Sequence, residues 1–232
     1  MSAVDIDAPD ERKETLASIA YDRLRQEIIT IAVAPGEKLH IRSLCDRFGV
    51  GLSPIREALS RLSTEGLVVQ TDHRGFAAAP MSESDLVDLT RARCWLNELA
   101  IRNSIAEGDA AWEESVVLSF HRLSRTPRFE AGNESSRSPA WEVAHRNFHS
   151  SLIAASGSSR LQAYCEHLFD SSERYRHVGR KAGVKGESRD TEHRALMEAV
   201  VARDADAAGK LIKAHFERTA ELVRQVLQAR ER

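Results

Sequence analysis

Apolar residues recur along this chain at the three- and four-residue spacing of helices, broken by two short apolar runs that read as strands. Between 14 and 31 the stripe is Leu16, Ile19, Ala20, Leu24, Ile28 and Ile31, which predicts one helix. Ala34-Pro35-Gly36 interrupts it as a turn, and Lys38-Leu39-His40 reads as a stub of strand. Ile41–Phe48 predicts a short helix ended at Gly49. A further helix is predicted to start with Ser53 as its cap and Pro54 at its first position, with Ile55, Ala58, Leu59 and Leu62 as its apolar face. Leu67–Gln70 and Phe76–Ala79 read as two strands joined by Asp72-His73-Arg74-Gly75.

From Pro80 the pattern changes and stays helical. The periodicity predicts helices over Ser84–Ala106 (capped by Ser82 or Ser84), Ala110–Ser124, Pro139–Ala155, Arg160–Val178, Asp190–Ala202 and Asp204–Gln228. Arg125–Ser138, rich in serine and holding Pro127 and Gly132, reads as a loop, and Gly179–Gly186 reads as a mobile connection. The expected fold class is mainly α: a winged helix-turn-helix of three helices and a two-stranded wing, joined to an all-α bundle of six to seven helices. The expected boundaries are a disordered arm over 1–13, a winged-helix unit over 14–80 and a helical unit over 81–232.

Composition narrows the class. The chain has 232 residues, 42% hydrophobic and 29% charged, and no apolar run approaches a membrane span. Its first residues are acidic and polar, unlike a signal peptide. Cys45, Cys94 and Cys165 are scattered and odd in number, which points to reduced cytoplasmic thiols in or near the core. The three tryptophans, Trp95, Trp112 and Trp141, are also read as core. Net charge is -2, and Lys13–Pro80 holds nine Lys/Arg against eight Asp/Glu, so bulk charge gives no help to a nucleic-acid reading. The placement of charge does: Arg56 and Arg61 lie off the apolar stripe of a helix preceded by a helix and a glycine turn, as a major-groove reading helix requires. His73 and Arg74 beside Gly75 at the ribbon tip suit a cation entering a narrow minor groove.

Nine histidines are present. His145 and His149 are one turn apart, and His193 and His215 fall among apolar neighbours on two later helices. Four imidazoles from three helices could hold one divalent transition ion, Zn²⁺ or Ni²⁺; alternatively each is a hydrogen-bonded core residue. The other histidines, His40, His121, His167 and His177, read as surface or local-capping residues. A metal-dependent enzyme using the same residues would need an open position and a base. No HExxH pattern occurs, and Glu142 and Glu192 are the nearby acids. A regulator switched by the metal alone is a third reading.

Phe48-Gly49-Val50, Ser53-Pro54-Ile55-Arg56-Glu57-Ala58-Leu59, Leu62, Glu65-Gly66-Leu67 and Arg74-Gly75-Phe76, followed by Phe148-His149, Glu192-His193-Arg194-Ala195-Leu196 and Ala214-His215, resemble a GntR-family transcription regulator of the FadR subfamily with an FCD-type C-terminal domain. Trp141 and Glu173-Arg174-Tyr175-Arg176 further resemble the branch that contains repressors of small-acid catabolism. The resemblance implies a homodimeric repressor on a palindromic double-stranded operator, with no enzymatic activity. It implies DNA contacts by Arg42, Ser53, Pro54, Arg56, Arg61, His73, Arg74 and Gly75. It also implies a metal held by His145, His149, His193 and His215, and a small carboxylate effector beside it, gripped by Arg93 and Arg176 with Asn97 nearby. Two departures stand out. Leu52 replaces the family's usual arginine, and His145 replaces its usual aspartate, which favours a borderline metal over Mg²⁺ or Ca²⁺.

Overall fold

The computed structural model describes residues 15–71, 75–181 and 190–230. The expected arm over 1–13, together with His73 and Arg74, lies outside the described residues. The chain divides into two units that meet between Ala79 and Pro80.

In the first unit, α1 (Leu16–Ile29) begins at Thr15, whose hydroxyl accepts the Ser18 amide at 3.1 Å. α2 (Ile41–Phe48) ends at Gly49, whose φ of 67° is the left-handed cap that favours glycine. α3 (Leu52–Thr64) follows α2 after three intervening residues. Its N-cap is Gly51 in extended backbone, which corrects the expected Ser53 cap. Ser53 and Pro54 lie inside the first turn, where the missing Pro54 N–H is still one that no helical carbonyl would accept. β2 (Val68–Thr71) and β3 (Gly75–Ala78) form the wing. The sheet is three-stranded and not a bare ribbon, because β1 (Lys38–Leu39) pairs with β3 through Lys38↔Ala77 and Leu39↔Phe76. That pairing buries Leu39 and satisfies backbone groups that a stub would leave at an edge. Leu24, Ile28, Ile55, Leu59 and Leu62 are each fully buried in one core. Each contributes about 1.5–3 kcal/mol of hydrophobic stabilisation.

The second unit contains six helices among its described residues: α4 (Glu83–Glu107), α5 (Ala110–Arg125), α6 (Pro139–Ile153), α7 (Ser159–Lys181), α8 (Asp190–Val201) and α9 (Ala205–Arg230). Ser82, rather than Ser84, caps α4 by accepting the Asp85 amide. The 125–138 stretch corrects the loop reading. It holds a small hairpin of β4 (Phe129–Glu130) and β5 (Asn133–Arg137), turned at Gly132 with φ 79°. Short polar strands lack the apolar alternation that would have marked them. α7 likewise runs through Gly179 to Lys181, so part of the expected mobile connection is helix; 182–189 lie outside the described residues. α4 packs along α9 and α7, and α5 against α6 and α8. The core between them contains Ile101, Val116, Phe148, Leu152, Leu196 and Ile212. Trp112 and Trp141 are buried, but Trp95 is 65% exposed on the outer face of α4, against expectation. Cys94 and Cys165 are buried and Cys45 is half-buried. Among the described residues, no helix is long and apolar enough to cross a membrane.

Candidate DNA-binding face and buried histidine cluster

The apolar stripe of α3 fixes what its other face can do. With Ile55, Ala58, Leu59 and Leu62 turned inward, Arg56 stands exposed near the helix start beside exposed Ser53 and half-buried Pro54. Arg42, in the first turn of α2, is exposed as well. Leu52, the first residue of α3, is 55% exposed, an apolar group at the leading end of the helix. Arg61 is placed differently. Its guanidinium lies 4.0 Å from the centre of the Tyr21 ring on α1, and the Tyr21 hydroxyl donates to Glu65 at 2.6 Å. Burial, and then Glu65, push the Tyr21 phenol up to about 12. Gly75 opens β3 exposed, at φ 93°, a conformation that L side chains rarely adopt.

In the second unit the four histidines expected to cluster do so. His145 and His149 on α6, His193 on α8 and His215 on α9 are all buried, and one ring nitrogen from each lies within 4.8 Å of the others. Two ligands on one ion can stand at most about 4.2 Å apart, because metal–imidazole bonds are about 2.0–2.1 Å. A metal would therefore need only a slight inward adjustment of the rings. The nitrogens also need a partner. Both ring nitrogens of His145 and Nε2 of His149 are buried without a hydrogen bond, and such orphans are costly in a core. Burial, and then the neighbouring imidazoles, hold His145 and His149 well below the ordinary histidine range, so both are neutral bases near pH 7. Aromatic rings enclose the cluster: Trp141 stacks on His145 at 4.6 Å, and Phe148, Phe169 and Phe216 close the sides. This set of residues could hold a metal ion.

One functional partner escaped the sequence reading in this role. Glu192, read there only as a nearby acid, faces Nδ1 of His215 through Oε2 at 2.7 Å, and Arg218 binds its other oxygen. A carboxylate on Nδ1 selects the tautomer whose Nε2 carries the lone pair a metal ligand needs. The two residues are 23 apart on different helices, so no local pattern signals the pair.

The residues expected to grip an effector separate into two groups. Arg93 and Arg176 line a common narrow cleft between α4, α7 and α9, together with Thr90, Ser172, Tyr175 and Thr219. Arg93 is 4% exposed and lies 3.8 Å over the Phe216 ring; burial lowers its guanidinium to about 10. Arg176 pairs with Glu173 and donates to the Ser172 hydroxyl at 3.2 Å. Asn97 does not line the cleft: it is buried, and its amide donates to the Arg93 carbonyl one turn back. Tyr175, at the cleft's outer end, donates to Asp85 at 2.5 Å and accepts the Ser82 amide at 3.3 Å. It thereby ties the cleft wall to the N-terminus of α4. Burial, and then the Asp85 carboxylate, raise its phenol pKa.

Comparison with known proteins agrees with this geometry. Residues 16–77 match the model of the gntR family of bacterial regulatory proteins, and 88–218 match the FCD domain. The chain is 36% identical over 217 residues to the uncharacterised HTH-type transcriptional regulator BphR of Paraburkholderia xenovorans, covering 94% of this chain and 89% of that protein. It is 32% identical to the HTH-type transcriptional repressor GlaR of Escherichia coli K12, covering 92% of this chain and 98% of that one. A GntR-family transcriptional regulator from Pseudomonas syringae superposes with a TM-score of 0.55 at 26% identity, covering 93% of this chain and 87% of the other. These relatives are transcriptional regulators and not enzymes. The winged-helix unit and the helical unit with its histidine cluster together place this chain in the GntR family of bacterial transcriptional regulators, among those that carry an FCD domain.

Proposed function

We propose that this regulator is a homodimeric, cytoplasmic repressor. Its α3 helices read the two halves of a palindromic operator, and a small carboxylate bound beside a metal in the FCD domain releases it. The observation that carries this reading is the pairing of two demands in one unit: orphaned histidine nitrogens that call for a cation, and a buried Arg93 at the adjoining cleft that calls for an anion. Four imidazoles without a carboxylate suit a borderline ion, Zn²⁺ or Ni²⁺, better than Mg²⁺ or Ca²⁺. Such an ion would supply positive charge near the effector's acid group.

On the DNA side, Arg56 and Arg42 are the exposed cations proposed to meet guanine edges or phosphates. Ser53, Pro54 and Gly75 bring backbone close to the duplex, and His73 and Arg74 are assigned to the wing tip. Arg61 is proposed as a phosphate contact that keeps its stem on Tyr21. Leu52 offers a methyl surface where the family has a cation, so the operator would differ at that position. Signal transfer is assigned to Tyr175, which touches both the cleft and Ser82 at the start of α4, directly after Pro80 and Met81. A coupling of about 1–3 kcal/mol would lower DNA affinity roughly 5- to 150-fold.

The test is binding of the purified chain to its own promoter region against random DNA at raised salt, since non-specific binding falls steeply with salt. Binding no tighter than to random sequence overturns the proposal. Chelation and re-addition of zinc in the same assay separate the readings: if the metal alone switches DNA binding and no carboxylate does, the chain is a metal sensor.

A further inference from the structure

We infer that the effector is a short amphipathic monocarboxylate, its acid group on Arg93 and its apolar body lying along Leu86, Leu89 and Val223 toward Tyr175. This inference rests on the carboxylate-release reading above and specifies the ligand.

Three helices run the length of the cleft, and all three change character in the same direction. On α4 the lining goes from Arg93 and Thr90 to Leu89 and Leu86; on α9 from Thr219 to Ala220 and Val223; on α7 from Ser172, onto which the Arg176 guanidinium turns back, to the Tyr175 ring. The Arg93 end is the inner one. Its guanidinium rests on Phe216, whose ring neighbours those of His149 and His215. The Leu86 end is the outer one. Tyr175 there bonds to Ser82 and Asp85, and Glu83 accepts from Arg224 and Gln228 of α9. Arg93 and Leu86 are seven residues apart, about 10 Å along the helix axis. The cleft is thus polar and cationic inside, apolar outside.

Charge sets the number of acid groups. Among the described residues no carboxylate pairs with Arg93, and its buried Nε has no hydrogen-bond partner. A buried guanidinium in that state calls for one anion. The other cleft cation, Arg176, is already balanced by Glu173. The outer end offers only leucines, alanine, valine and a tyrosine, with the Asp85 carboxylate behind. A second carboxylate placed there would lose its water and face the like charge of Asp85, and the nearest cation, Arg174, does not line the cleft and already interacts with Asp85. A methyl or methylene group loses nothing. The cleft is narrow, closed in by buried side chains of three helices, and this limits the body to a short chain.

The experiment compares acids matched in carbon number. Butanoate and hexanoate are titrated calorimetrically into the full-length protein against succinate and adipate, in which a second carboxylate replaces the terminal methyl. Hexanoate is expected to bind at least tenfold more tightly than adipate. Arg93→Met should lower hexanoate affinity at least tenfold, with the folded state verified by its circular dichroism melt. Leu89→Lys, at a partly buried position on the outer half of the cleft, should shift preference toward adipate. Succinate or adipate binding the unaltered protein as tightly as its monoacid partner overturns this inference while leaving carboxylate release intact. Hexanoate affinity unchanged in Arg93→Met overturns it as well. If no acid of either kind binds a protein that still recognises its operator, the carboxylate reading falls with it.

Discussion

Replacing Glu192 by alanine removes one atom contact that organises the histidine cluster. Its Oε2 stands 2.7 Å from Nδ1 of His215, with the side chains 19% and 7% exposed respectively, so the bond is made largely out of water. Without it the His215 ring loses the partner that holds the proton on Nδ1, and Nε2 becomes a poorer and less well-aimed donor. Loss of such outer partners typically costs 10- to 100-fold in metal affinity, about 1.4–2.7 kcal/mol. Low exposure and the second clamp from Arg218 argue for the upper half of that range. The assay is competition for Zn²⁺ against a chromogenic chelator of known affinity, on protein whose far-ultraviolet dichroism is unchanged. Glu192→Gln, which keeps an acceptor oxygen but no charge, should fall between. A Glu192→Ala protein that binds zinc within twofold of the unaltered chain would refute the reasoning, and with it the assignment of His215 Nε2 as a ligand.

Four further outcomes are expected. Arg56→Met should weaken specific operator binding by about 1–3 kcal/mol and relax preference at one base pair, read by mobility shift on point-varied operators. Tyr175→Phe should leave operator and effector affinities near normal but shrink the effector-induced drop in DNA binding, because the hydroxyl bonds to Ser82 and Asp85 are lost; an unchanged response removes Tyr175 from the pathway. Phe148→Ala, at a fully buried core position, should destabilise the FCD unit by about 3–5 kcal/mol in urea unfolding. Stability of the metal-free protein should depend on pH in a defined window. His145 and His149 are held below their unfolded value of 6.5, so the unfolded chain takes up protons first and stability rises with pH. The melting temperature in chelator should be level above about pH 7, and should fall from about 6.5 downward, through the depressed native values. A flat profile from 7.5 to 5 would contradict the buried, neutral state of these rings.

The legibility of this chain follows from the range over which each force acts. Helices α2 and α3, the left-handed Gly49 between them and the exposed Arg56 could be read from spacing, because helix periodicity and glycine geometry are local properties. The same locality misplaced the α3 cap, since Gly51 in extended backbone starts the turn before Ser53 can. It also hid the 129–137 hairpin, whose polar residues carry no strand signal. Trp95 shows the limit of composition: a large apolar residue is inside only if its face of the helix has something to pack on.

For the histidine cluster the sequence by itself supplied the residue types and the i, i+4 pair, and therefore the chemistry that could occur. Whether His193 and His215 reach that pair depends on how α8 and α9 cross α6, a matter of side-chain packing between segments dozens of residues apart. The fold alone brought the four rings within 4.8 Å, set Glu192 on His215, turned Asn97 back onto its own helix and left Arg93 buried without an acid beside a narrow cleft. Local pattern fixes which groups a helix presents, and three-dimensional packing fixes which of them meet and which are cut off from water.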